Sequence, residues 1–294
     1  MPNWNQIYGE INPEKNPYDS VRHRYLSAFH ALTGRNVLCY YSGWLEKPVP
    51  GASINDEDKN GFMSCFYQMD FSKGLDLFIH SPGGDVAATE SIINYIRAKF
   101  KDDVRVFVPQ LSMSGGTMIA LCGKEIWMGS HSNLGPIDPQ FGHFPAQLVL
   151  SEFDRAYQEM KADPQKASVW MPILSQIQPT FLTQCERAIE WSKQIGKKAL
   201  ITGMFAGDPD ATSKAEQAVE FFTNTSKTKN HSRHLHREEC QKQAGLTICE
   251  FETNQDMQDA ILSIHHANML FLMNTAAVKI IENHNGISFI KNLP

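Results

Sequence analysis

Two short strings constrain this chain more than anything else in it: HSPGG at residues 80–84 and SMSGG at residues 112–116. Each follows a β-rich run, 75–80 and 104–109, and each opens a stretch with helical spacing. A strand that turns through paired glycines into a helix is the βα corner of a parallel α/β unit. Two such corners about thirty residues apart place both glycine pairs at the carboxyl ends of neighbouring strands, where open α/β sheets bind their ligands. Glycine also lets backbone approach a ligand with no Cβ in the way.

The rest of the chain supports that reading. Residues 85–100 carry apolar side chains at 88, 92, 96 and 100, with Ile93 beside them, which is one face of a helix. Strands are predicted over 36–45, 75–80, 104–109, 125–129 and 246–251, and helices over 21–34, 61–69 and 114–122. Beyond residue 145 the pattern turns helical, with segments at 179–201, 212–225, 237–245 and a long closing helix over about 255–283. Three parts are expected: an N-terminal adapter, 1–35; an α/β domain, 36–252; and a C-terminal helical extension, 253–294, packed on the same domain.

Composition narrows the function classes. Hydrophobic residues make up 42% of the 294 and charged residues 20%, as in globular proteins. A net charge of −5 argues against nucleic acid as partner. No apolar run reaches the ~18–20 residues of a bilayer span, and the N-terminus has no apolar signal core, so no transmembrane anchor and a cytoplasmic location are expected. The six cysteines are widely spaced without a CxxC pair, which suits reduced, mostly buried thiols.

The chemistry points to Ser114. A hydroxyl beside Gly115 and Gly116 at a helix start could attack a carbonyl, while the N–H groups of Gly83 or Gly84 and of Gly115 receive the developing oxyanion. Ser112 competes as nucleophile if the helix begins a turn earlier. Because Ser112 stands where the G-x-S-x-G elbow has its first glycine, an α/β-hydrolase is disfavoured. HSRHLHREEC (231–240) mixes histidine and cysteine, but its spacing matches no standard zinc motif, so its histidines are read as structural or solvent-facing. No metal and no cofactor is expected.

The strings LDLFIHSPGGDVAATESIINYIR, VPQLSMSGGTMIALCGKEIWMGSHSNLGPIDPQFG, KADPQKASVWMPIL and HLHREECQKQAGL resemble serine peptidases of the Clp protease/crotonase fold. Within these they are most similar to the signal peptide peptidase A branch and its serine dehydrogenase proteinase family. The resemblance implies a spiral of ββα units with a mainly parallel sheet and added helices at both ends. It also implies homo-oligomeric assembly, peptide or unfolded protein as substrate, Ser114 as nucleophile and Gly83–Gly84 at the oxyanion. Where Clp peptidases carry a histidine base, this chain reads NLGPIDPQ. A Ser–Lys dyad is therefore expected, with Lys166 as base from its spacing to Ser114 and Lys161 next. His131 and His143 flank the vacant position, His131 being the possible supporting residue. Asp138, between two prolines, either orients the base, holds a substrate N–H or caps the following turn. A catalytically inactive scaffold and an acyl-CoA enzyme of the same fold are the competing readings.

Overall fold

The computed structural model describes residues 3–12, 17–142 and 144–293. Its main sheet contains β1 (Asn36–Ser42), β2 (Leu75–His80), β3 (Val104–Val108), β5 (Glu125–Met128), β10 (Ile248–Glu250), β11 (Ala277–Asn283) and β12 (Ser288–Asn292), in the order β10-β5-β3-β2-β1-β11-β12. The five strands from β10 to β1 run parallel, and β11 and β12 add an antiparallel edge. A small sheet of β4 (Leu111–Ser112), β6 (Asn133–Leu134) and β9 (Leu235–His236) stands beside it, with a ribbon of β7 (Gln140–Phe141) and β8 (Phe144–Pro145).

The central strands have no wet face. Every residue of β1 and β2 is buried, as expected of parallel strands covered on both sides. Successive side chains alternate between two cores: Leu75, Leu77 and Ile79 face one, Phe78 the other. The first core is closed by α3 (Asp58–Phe66), α4 (Val86–Phe100), α5 (Gly115–Ala120), α8 (Phe181–Ile201) and α9 (Ala211–Thr223). The second is closed by α2 (Tyr18–Thr33) and α12 (Gln255–Asn274), with α1 (Trp4–Glu10) against α12. There Phe29 meets Phe78 and Phe107 edge-on at 5.0 and 5.3 Å, contacts worth about 0.5–1.5 kcal/mol each beyond their buried area. The helices α6 (Ala146–Ala162) and α7 (Ala167–Leu174) form an outlying hairpin, and α10 (Thr225–Thr228) and α11 (Arg237–Lys242) are short.

Local chemistry explains the boundaries near the site. Asp85 caps α4 by accepting the Ala88 N–H at 2.7 Å, and Ala88, Ile92, Ile93, Ile96 and Phe100 are its buried face. Gly34 ends α2 in the left-handed conformation, φ 68°. The C-terminus departs from expectation. The helix over 255–283 stops at Asn274, and the β-branched run Val278, Ile280, Ile281 forms β11, paired antiparallel with β1. The 253–294 segment is therefore helix followed by two strands of the main sheet. Five cysteines are buried, Cys249 is half-buried, and all six are free. Among the described residues no helix is long and apolar enough to cross a membrane.

Candidate active site

The two glycine corners meet. Ser81 N–H donates to Leu111 O at 3.3 Å and Met113 N–H to Ser81 O at 2.9 Å, so the loop after β2 is stitched to the loop after β3. The contact leaves no room for side chains: a Cβ on Gly83 would lie 2.6 Å from Ser114 Cβ and 2.8 Å from Gly115 N. Gly83 also has φ 89°, which only glycine adopts without strain.

Ser114 lies at the apex with φ 50° and ψ −118°. A side-chain-bearing residue there is strained by about 1–3 kcal/mol, and such strain clusters at functional turns. The sequence lacks the G-x-S-x-G pattern, yet the backbone makes the same kind of sharp strand-to-helix turn. Ser112 does not compete: it is fully buried, with Gly116 packed over its hydroxyl.

Two amides flank Ser114. Gly83 N–H is taken by Ser81 Oγ at 3.1 Å. Among the described residues, Gly84 N–H and Gly115 N–H donate to no protein acceptor. They are neighbours, since a Cβ on Gly115 would stand 3.5 Å from Gly84 N. Both glycines and Ser114 line one cavity of about 500 Å³, together with Met118, Ile137, Trp191 and Ser192.

The same cavity is lined by Asp138 and His231. Asp138 is 2% exposed. Its Oδ2 accepts from Gln140 Nε2 at 2.7 Å and its Oδ1 lies 2.8 Å from His231 Nδ1. Because an ionised carboxylate only accepts, Nδ1 carries the proton and the Nε2 lone pair is left for another donor. The turn carrying His231 is built by Asn230, whose side chain accepts Ser232 N–H at 2.7 Å and whose carbonyl accepts Arg233 N–H at 3.0 Å. Sequence reading set His231 aside as structural.

The other expected bases lie elsewhere. Lys166 is exposed and salt-bridged to Glu159 at 3.3 Å on the α6–α7 hairpin. Arg155, then Trp170 and Lys166, hold that Glu159 carboxyl down at about 2. Lys161 ends α6, exposed beside the Tyr157 ring. Neither lysine lines the Ser114 cavity, so the chain by itself does not assemble the Ser–Lys pair. His131 is also outside the cavity, half-exposed and 3.9 Å from Glu252. His143 falls outside the described residues.

A covered, mainly parallel sheet thus brings a serine at a strained strand-to-helix turn, two unengaged amides and a His–Asp pair to one cavity of an α/β protein. A family model described as ClpP-like SDH-type serine proteinase matches residues 53–217, more than half of the 294. The chain belongs to that family. It is similar to two proteins of Methanocaldococcus jannaschii: uncharacterized protein MJ1495, 33% identical over 162 residues, covering 51% of this chain and 52% of the relative; and uncharacterized protein MJ0137, 38% identical over 112 residues, covering 38% of each. The chain thus spans about half, or less, of the curated relatives it matches.

Proposed function

We propose that the protein hydrolyses peptide bonds through an acyl-enzyme formed on Ser114, with His231 as general base and Asp138 as its orienting partner. The observation that carries this reading is the single cavity shared by Ser114, His231, Asp138, Gly84 and Gly115. Ser114 Oγ attacks the substrate carbonyl while His231 Nε2 takes its proton. The carbonyl oxygen becomes an oxyanion between the Gly84 and Gly115 N–H groups, each such donor being worth roughly 3–4 kcal/mol of barrier. His231 then gives its proton to the leaving amine. Water enters, is deprotonated by the same nitrogen and attacks the ester; as the acid is released, His231 returns the proton to Ser114 Oγ. Gly83 acts here by yielding space, its own N–H being engaged by Ser81.

Peptide or unfolded protein is the substrate class this reading requires. Assembly into a homo-oligomer is part of the same proposal, and Val169, Met171 and Ile173, all exposed on α7, are apolar surface available for it. The test is covalent labelling by a fluorophosphonate: the wild type is labelled, Ser114→Ala is not, and Ser112→Ala is. Equal labelling of Ser114→Ala and wild type removes Ser114 from the mechanism.

A further inference from the structure

The Gly84 amide is bracketed by a neighbouring segment, residues 53–55. Ile54 forms an isolated parallel bridge with Gly84: its N–H donates to Gly83 O at 2.8 Å and its carbonyl accepts Asp85 N–H at 2.9 Å. A strand residue sends its own N–H to the edge opposite the partner that brackets it. Ile54 thus turns the Gly84 N–H away from itself, towards Gly115. The fit is close, because a Cβ on Gly84 would lie 2.4 Å from Ile54 N and O.

Both neighbours of Ile54 are tied to one buried ion pair. Lys279, from β11, donates through Nζ to Ser53 O at 2.7 Å and to the two Asp58 oxygens at 2.7 and 2.8 Å. Asp58 Oδ2 accepts Asn55 N–H at 3.0 Å and the Tyr40 hydroxyl at 2.7 Å. Lys279, Asp58 and Tyr40 are fully buried. Two charges out of water are costly to hold, and apolar residues often stabilise such a spot as well or better. What apolar residues cannot do is aim hydrogen bonds at a chosen carbonyl and a chosen amide.

We propose that Lys279 and Asp58 are positioning residues for the oxyanion hole: through Ser53 O and Asn55 N–H they fix Ile54, and through Ile54 the Gly84 amide. Lys279 lies outside the 53–217 stretch matched by the family model, so the C-terminal strand of this chain completes its own site. The inference rests on the Ser114 reading and deepens it.

The experiment compares full-length wild type with the double variant Asp58→Asn/Lys279→Met and with Tyr40→Phe. Lys279→Met alone would strand a buried carboxylate, so both charges are removed together. Three quantities are measured on folded protein: the fluorophosphonate acylation rate, the affinity for a peptidyl boronate, which is tetrahedral when bound, and the KM of a peptide ester. The double variant is expected to acylate at least about tenfold more slowly and to lose boronate affinity in parallel, with KM moving less than about twofold. Tyr40→Phe keeps the ring and drops one hydrogen bond, for a slowing of roughly two- to fivefold, and decides the matter if the double variant does not fold. A merely structural role lowers the melting temperature and leaves these rates intact. Folded variants that acylate at the wild-type rate overturn the positioning role while the Ser114 reading stands; a wild type that is not labelled overturns both.

Discussion

His231 Nδ1 lies 2.8 Å from Asp138 Oδ1, across 93 residues of chain, at the wall of the cavity that holds Ser114. The buried carboxylate fixes which ring nitrogen carries the proton. Asp138→Asn keeps the shape but offers an amide, which favours the wrong tautomer. The expected result is a fall in kcat on the order of 10³–10⁴ with little change in KM, read from steady-state hydrolysis of a peptide ester. His231→Ala should fall as far, and combining the two should add little, because the pair acts as a unit. Additive losses in the double variant would separate the two residues.

Gly83 tests the meeting of the corners. Its missing Cβ would overlap Ser114 Cβ and Gly115 N, and its φ of 89° is unsuited to alanine. Gly83→Ala should therefore destabilise the fold by about 1–3 kcal/mol and abolish fluorophosphonate labelling of the molecules that remain folded. Gly9→Ala is the control: nothing lies within 4 Å of its added methyl, in the last turn of α1. It should be neutral or stabilising by up to about 1 kcal/mol and leave labelling unchanged. Urea melts beside gel-based labelling read both quantities.

Much of this architecture is legible from local pattern. The alternation of short β-rich runs with four-residue apolar spacing locates β2, α4, β3 and β5, and the glycine pairs locate the corners. Asp138 could be singled out because prolines on both sides stiffen its backbone. His231 was not recoverable by the same means. It lies in an irregular turn, has no periodicity, and reaches Asp138 because α8 packs on α4 and α5, α9 packs on α8, and the chain then returns to the cavity. The lysines lie apart from the Ser114 cavity in this chain for the converse reason: a spacing of 52 residues from Ser114 to Lys166 says nothing of a hairpin that swings outwards. At the C-terminus the apolar run crosses from helix to strand without a glycine or proline to mark it. Its β-branched tail, Val278–Ile281, was the available hint.

Lys166 gives a prediction of no effect. Its ammonium is engaged by Glu159 on an exposed hairpin, away from the Ser114 cavity. Lys166→Ala and Lys161→Ala should each retain kcat/KM within about twofold, since breaking an exposed ion pair costs only about 0–1 kcal/mol. The assay must use the protein in whatever oligomeric state it adopts, so that a lysine delivered from a second copy is tested as well. A loss of a hundredfold or more in Lys166→Ala would restore the Ser–Lys dyad and demote His231.

Stability should fall on mild acidification because of histidines buried behind the Gly83–Gly84 corner. His80, which ends β2, is fully buried against Trp44, Tyr41 and His265. Burial pushes its pKa down to about 3 and that of His265 well below the ordinary value. Both are neutral in the folded and unfolded states above pH 6.5, so their contribution is level there. Below 6.5 the unfolded chain binds protons that the folded one refuses, and stability drops with falling pH. Between the ordinary histidine value and its folded value of about 3, His80 costs roughly 2 kcal/mol by pH 5, and His265 acts in the same direction. His23, held up by Glu282, works in the opposite sense, which is why the comparison must be with a single-site variant that leaves it in place. His80→Phe keeps an aromatic ring against Trp44 and removes one titrating group. Its unfolding free energy should decline between pH 7 and pH 5 by about 2 kcal/mol less than that of the wild type. Urea titrations at both pH values measure the difference, and parallel declines in the two proteins would show that His80 accepts its proton without unfolding.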